Sequence, residues 1–121
     1  MMATQPQHLI DQNDDALMAQ VAARDTSALR LLADRHAEIA WRIAYRMLGD
    51  RQEAEDVAQE ALLRLWQHAD RWQPGGSGVA AWLTRVATNA CLDRLRRRRE
   101  LRGGHLLRRQ RQHAGVEQVA V

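Results

Sequence analysis

The stretch Ala81-Trp82-Leu83-Thr84-Arg85-Val86-Ala87-Thr88-Asn89-Ala90-Cys91-Leu92-Asp93 runs directly into Arg94-Leu95-Arg96-Arg97-Arg98-Arg99. Leu83, Ala87, Cys91 and Leu95 recur at helical spacing, so the segment reads as an amphipathic helix with one apolar side. Its last turns are almost all guanidinium. A dense arginine cluster can neutralise phosphates on a nucleic-acid backbone, and each such contact releases condensed counterions. The aromatic and amide side chains just upstream can address bases as well as charge. The segment predicts a helical protein that meets nucleic acid.

Working outward, the rest of the chain is helical too. Residues 1–12 are polar and include Pro6, which predicts a disordered N-terminal tail. Asn13 or Asp14 can cap a short helix that runs through Ala16, Leu17 and Val21. Thr26 or Ser27 opens a longer helix. Its apolar positions Leu29, Leu32, His36, Ala40, Ile43 and Met47 follow the helical period, and Gly49 stops it. Asp50 caps a third helix with Ala54, Ala58, Ala61 and Leu65 as its inward stripe, and Trp66 and Trp72 flank its end. Gln73-Pro74-Gly75-Gly76-Ser77-Gly78 is a loop. The fourth helix covers about residues 79–99, and Gly103-Gly104 closes the ordered part. The expectation is an all-α fold, a compact bundle of about four helices over residues 13–100 with no sheet. Residues 101–121 read as a basic linker rather than a further core-forming element.

The chain of 121 residues has room for one domain, and a domain of this size buries about 60–68% of its unfolded surface. All 18 basic residues are Arg, and the net charge of +3 conceals an asymmetry. Residues 1–93 hold 9 Arg against 13 acids, a net of −4, whereas residues 94–121 hold 9 Arg against Glu100 and Glu117, a net of +7. An acidic body with a basic end implies two surfaces for two partners. The single Cys91 excludes an internal disulfide and fits a reducing compartment. No apolar run approaches the ~20 residues needed to span a bilayer. A soluble, cytoplasmic protein is expected.

Enzymatic readings find little support. His8, His36, His68, His105 and His113 lack metal-ligand spacing, and no second thiol partners Cys91. His36 sits in the apolar stripe, as a satisfied core histidine would. Gly75-Gly76-Ser77-Gly78 lacks the Lys-Ser/Thr that completes a phosphate loop. Neither a metal, a cofactor nor a catalytic residue is expected.

The third helix carries a second candidate surface. Asp56, Gln59, Glu60 and Leu63 share one face, opposite the Ala/Leu stripe. An apolar anchor ringed by hydrogen-bonding groups is how a small protein interface is built. The competing reading is a solvated face with a Glu60–Arg64 ion pair, worth only ~0.2–0.5 kcal/mol. Residue pattern alone weighs the two equally. Acids here would repel DNA, so a partner for this face should be a basic protein.

Two motifs now stand in order. Ala54-Glu55-Asp56-Val57-Ala58-Gln59-Glu60-Ala61-Leu62-Leu63-Arg64-Leu65-Trp66 is followed, after the loop, by Ala81-Trp82-Leu83-Thr84-Arg85-Val86-Ala87-Thr88-Asn89 and Asp93-Arg94-Leu95-Arg96-Arg97. Together they resemble region 2 of a bacterial extracytoplasmic-function (ECF, group 4) RNA polymerase sigma factor, over roughly residues 14–100. The resemblance implies a helical domain that binds the β′ coiled coil of core RNA polymerase, melts the promoter −10 element and holds the non-template strand. It places Asp56, Gln59 and Glu60 on the polymerase-binding part of the motif, with Leu63 and Arg64 beside them. Asn89 matches the asparagine that lines the pocket for an extruded −10 base. Trp72 matches an aromatic at the loop entrance, and Arg85, Asp93, Arg96 and Arg97 fall on the DNA-facing side. An anti-sigma factor is a further candidate partner, and no membrane partner is implied.

Each residue keeps a structural alternative. Trp82 can pack in the core against Trp66 or Trp41, and Trp72 suits a core position as well as a stacking one. Asp93 can pair with Arg97. Asn89 can brace the 74–78 loop instead of reading a base. Such sigma factors also carry a second domain, region 4, and too few residues follow Gly104 to form it. The loop departs from the family pattern, with Val79 where an aromatic is common and one extra residue. Two rival functions stand beside the sigma reading. One is a helical regulator of duplex DNA, which would need a recognition helix with base-contacting residues near its N-terminus where this chain has Ala-Trp-Leu. The other is a sigma-like interaction module without a DNA role.

Overall fold

The computed structural model describes residues 12–102. Most of the two expected tails therefore lies outside the described residues. Four α-helices follow in order: α1 (Asp14–Ala22), α2 (Thr26–Leu48), α3 (Arg51–His68) and α4 (Val79–Arg102), with a 3-10 turn over Ala69–Arg71. Among the described residues there is no strand. The fold is all-α, as expected.

The helix ends follow local chemistry. Asn13 accepts from the Ala16 amide at 2.8 Å and Asp50 from the Glu53 amide at 2.9 Å, so each satisfies an orphan donor of its helix. The start of α2 differs from expectation: the cap is Asp25, which accepts from the Ser27 amide at 2.9 Å, rather than Thr26 or Ser27. Gly49 ends α2 in the left-handed conformation, φ 71°, which any side chain would resist. With only Gly49 and Asp50 between them, α2 and α3 form an antiparallel hairpin. The fourth helix continues through Arg102, beyond the end near Arg99 that the sequence suggested.

The chain divides into two units, Met1–Cys91 and Leu92–Val121, each described separately. In the first unit, α2 and α3 make the most intimate pair, and α1 packs on α2 and on the 3-10 turn. The buried face of α2 is Ala28, Leu32, Ala40, Ala44 and Leu48, and that of α3 is Ala54, Val57, Ala58, Ala61 and Leu65. The alanines leave space for the two backbones to approach. Of the stripe expected on α4, Leu83, Ala87 and Cys91 are buried, joined by Val79, whereas Leu95 is only half-buried. Leu17, Met18, Leu32, Leu65 and Leu83 are the largest fully enclosed side chains. Truncating Leu65 or Leu83 to Ala would cost about 2–5 kcal/mol, a large share of the ~5–15 kcal/mol that holds a domain together.

Side chains fasten α1 at both ends. Asp14 accepts from Arg35 Nη1 at 2.9 Å and from His36 Nε2 at 2.6 Å, so the stripe histidine is satisfied as expected. Arg24, at φ 68°, donates to the Trp66 carbonyl at 2.8 Å and lies over the Trp66 ring at 4.8 Å. It ties the α1–α2 turn to the end of α3.

Candidate nucleic-acid interface

The path from α3 into α4 builds a cleft. The chain turns extended at Trp72, and the loop at 73–78 needs positive φ at Gly75 (82°) and Gly78 (97°). The apolar stripe of α4 is committed to the core, which leaves Trp82, Arg85 and Asn89 on other faces of the helix. The rings of His68, Trp72 and Trp82, the loop and Arg85 line a cleft of about 350 Å³. His68 stacks on Trp82, with ring centroids 5.2 Å apart and planes 27° apart. Trp72 meets both edge-on, at 6.4 Å from His68 and 6.5 Å from Trp82. Trp82 thus packs against His68 and Trp72, and not against Trp66 or Trp41 as the sequence suggested.

What holds the loop is an acid on α1. Asp15 accepts from Trp72 Nε1 at 2.9 Å and from the Gly75 amide at 3.0 Å. The indole bond first, and the Gly75 amide second, hold the Asp15 carboxyl below its usual range against a small opposing effect of desolvation. Asn89 is exposed, and its amide makes no hydrogen bond among the described residues. The bracing role that the bland reading gave to Asn89 therefore belongs to Asp15. Trp72 is half-buried and lines the cleft, so a fixed structural position and an accessible ring coexist.

Of the expected DNA-facing residues, Trp72 and Arg85 line one cleft, and Asn89 stands one turn beyond Arg85 on α4. Asp93, Arg96 and Arg97 belong to the second unit. There Asp93 accepts from Arg96, rather than from Arg97 as suggested, and Arg97 is exposed. Six arginines fall within residues 94–102.

The other candidate surface is also formed. On α3, Asp56, Gln59 and Arg64 are exposed, Glu60 is half-buried, and Leu63 is 54% exposed. Gln52 donates to Asp56 at 3.1 Å and Arg64 to Glu60 at 2.8 Å. The ion pair of the solvated-face reading is thus present, and so is the uncovered leucine of the interface reading. Gln59 also borders a shallow groove of about 320 Å³ between α2 and α3, beside Trp41, Ala58 and Leu62. Among the described residues, no group of three or more His, Cys, Asp or Glu could hold a metal ion. No described helix is long and apolar enough to cross a membrane.

Two functional candidates escaped the sequence. Asp15 stands in the first turn of α1, where an acid suits the helix end, and His68 drew notice only as one of five histidines without metal-ligand spacing. The only signal for His68 was its spacing before Trp72 at the loop entrance.

A family model described as sigma-70 region 2 matches residues 32–100. Among curated proteins, "ECF RNA polymerase sigma factor SigL" of Mycobacterium tuberculosis is 42% identical over 81 residues, covering 67% of this chain and 46% of that protein. SigE of Mycolicibacterium smegmatis, likewise named an ECF RNA polymerase sigma factor, is 39% identical over 71 residues, 59% of this chain and 27% of that protein. SigW of Bacillus subtilis, with the same designation, is 36% identical over 80 residues, 66% of this chain and 42% of that protein. The chain spans less than half the length of each of these relatives.

Proposed function

The chain belongs to the sigma-70 region 2 family, and from that premise we propose that it docks on core RNA polymerase and holds open the −10 element of a promoter. The observation that carries the reading is the cleft, where three rings, a guanidinium and a glycine loop converge one helical turn from the free-standing amide of Asn89. Such a site suits a base that has left the stack. Rings offer stacking worth ~1–3 kcal/mol per base, and an amide presents donor and acceptor together to an unpaired base edge. A cleft of about 350 Å³ is in the range of small-ligand sites, whereas a base inside a duplex could not enter it. Arg85, Arg96 and Arg97 supply charge for the phosphates, with Asp93 restraining Arg96.

The second half of the reading lies on α3. Leu63, ringed by Asp56, Gln59, Glu60 and Arg64, is the anchor for a basic protein surface, which we assign to the β′ coiled coil. An anti-sigma factor is the candidate regulator. The role is one of binding rather than catalysis, and the polymerase it serves works in the cytoplasm.

The test is affinity for single-stranded non-template −10 DNA against duplex of the same sequence, paired with a pull-down on core RNA polymerase. Preference for the single strand together with retention on polymerase is expected. Preference for duplex would point to a major-groove regulator instead. Polymerase binding with no DNA affinity would leave only an interaction module.

A further inference from the structure

The loop that shapes the cleft takes its anchoring hydrogen bonds from α1. The two carboxylate oxygens of Asp15 receive separate donors, the Trp72 indole N–H at 2.9 Å and the Gly75 amide at 3.0 Å, which lie 57 and 60 residues further along the chain. The neighbouring acid does a different job. Asp14 bonds Arg35 and His36 on α2. The first turn of α1 is therefore a bracket that ties the base-side loop to the long helix of the core.

Such a bracket is needed because the loop cannot hold itself. Glycine has more backbone freedom to lose than any other residue, and three of the six residues at 73–78 are glycine. Left untied, the loop and the Trp72 ring would have to be ordered by DNA at the moment of binding, which weakens and blurs recognition. Asp15 lies before the residues 32–100 that the family model matches, so the match assigns it no role.

We propose that Asp15 is a positioning residue for base selection, which presets Trp72 and the Gly75 backbone so that the cleft exists before DNA arrives. The proposal rests on the base-holding reading above. Asp15 touches no base and acts only through Trp72 and the loop.

The test uses the full chain as wild type, Asp15→Ala and Asp15→Asn. Three quantities are measured: hydrogen exchange of the Trp72 indole proton, affinity for single-stranded DNA oligonucleotides varied one base at a time, and the melting temperature. The Trp72 signal is identified by its loss in Trp72→Phe. Asp15→Ala should expose the indole proton and reduce the preferred-to-nonpreferred affinity ratio at least about fivefold, the lower end of one base contact. Affinity for the least preferred sequence should hold. Asp15→Asn keeps one acceptor, should fall between the two, and carries the test if the alanine variant does not fold. Exposure of the indole with an unchanged ratio would overturn the positioning role. So would equal weakening on every sequence together with a lower melting temperature. A wild type without base preference, whose indole is nevertheless protected by Asp15, would instead remove the base-holding reading and leave Asp15 as a loop clamp alone.

Discussion

Replacing Asn89 by alanine separates a base-reading residue from a structural one, because the two roles move stability in opposite directions. Asn89 stands within α4, is exposed, and has no hydrogen-bond partner among the described residues. Removing its amide therefore breaks no internal contact. Alanine is the better helix former by up to ~0.7 kcal/mol. The fold should gain a few tenths of that scale, which for a domain of this size raises Tm by about 1–4 °C. Loss of the amide should cost ~1–3 kcal/mol of discrimination at one base, about 5- to 150-fold in relative affinity. Fluorescence anisotropy against single-stranded −10 oligonucleotides varied one base at a time reads the second quantity, and a thermal melt reads the first. A base reader gives a stable protein that no longer distinguishes one position. If the melting temperature falls and every oligonucleotide weakens by the same factor, Asn89 is a structural residue and the cleft reading loses its hydrogen-bonding group.

Four other outcomes are expected. Gln59→Ala combined with Glu60→Arg should abolish retention on core RNA polymerase while stability changes by less than ~0.5 kcal/mol, since the Glu60–Arg64 pair is a surface i,i+4 contact; retention by the folded double variant would remove the α3 face. Arg97→Gln with Arg99→Gln, both at exposed positions, should flatten the salt dependence of single-strand binding by ~0.7 per phosphate contact without changing the preferred sequence. A shifted preference at constant slope would make them base readers. Gly49→Ala should cost ~1–2 kcal/mol in a denaturant titration, all of it backbone strain at positive φ, because a Cβ there meets nothing within 4 Å; an unchanged midpoint would contradict the left-handed cap. The last concerns pH. Asp15 has its folded pKa below the ordinary 3.8, so its contribution is fully present above that value and is lost as pH falls through the folded pKa. The stability difference between wild type and Asp15→Asn should stay level from neutral pH to about 3.8 and shrink only below it, whereas a difference already shrinking near pH 6 would mean that another group holds the loop.

Much of the fold was legible because helix ends obey short-range chemistry. Gly49 and Asp50 could be recognised as helix ends from their residue types and the periodic runs beside them, and Asn13 was one of two candidates with Asp14. The shift to Asp25 came where adjacent residues could all cap, and local chemistry does not choose among them. The inward face of α2 was harder to read. Leu32 and Ala40 of the expected stripe are buried, but Leu29, Ile43 and Met47 are only half-buried, and Ala28 and Ala44 take fully buried positions instead. Where two helices approach closely, packing selects small residues, and a hydrophobicity pattern undervalues them. Arg85 and Asn89 were found for the complementary reason. Once Leu83, Ala87 and Cys91 claim the core, the helical period leaves no other place for them.

The cleft shows where such reasoning stops. Trp82 and His68 stack because of the route taken by the 73–78 loop, and no periodicity encodes a loop's route. Asp15 is the stronger case. An acid in the first turn of a helix already has a complete local reason to be there, since it complements the positive end of the helix dipole. Asp14 and Asp15 share that reason, so the sequence offers no ground for asking either one for a distant partner. Yet one binds Arg35 and His36 on the core helix, and the other binds Trp72 and Gly75 on the loop. A sufficient local explanation thus says nothing about whether a residue also acts at long range. At this site the long-range bonds join the element before the family-matched region to the cleft within it.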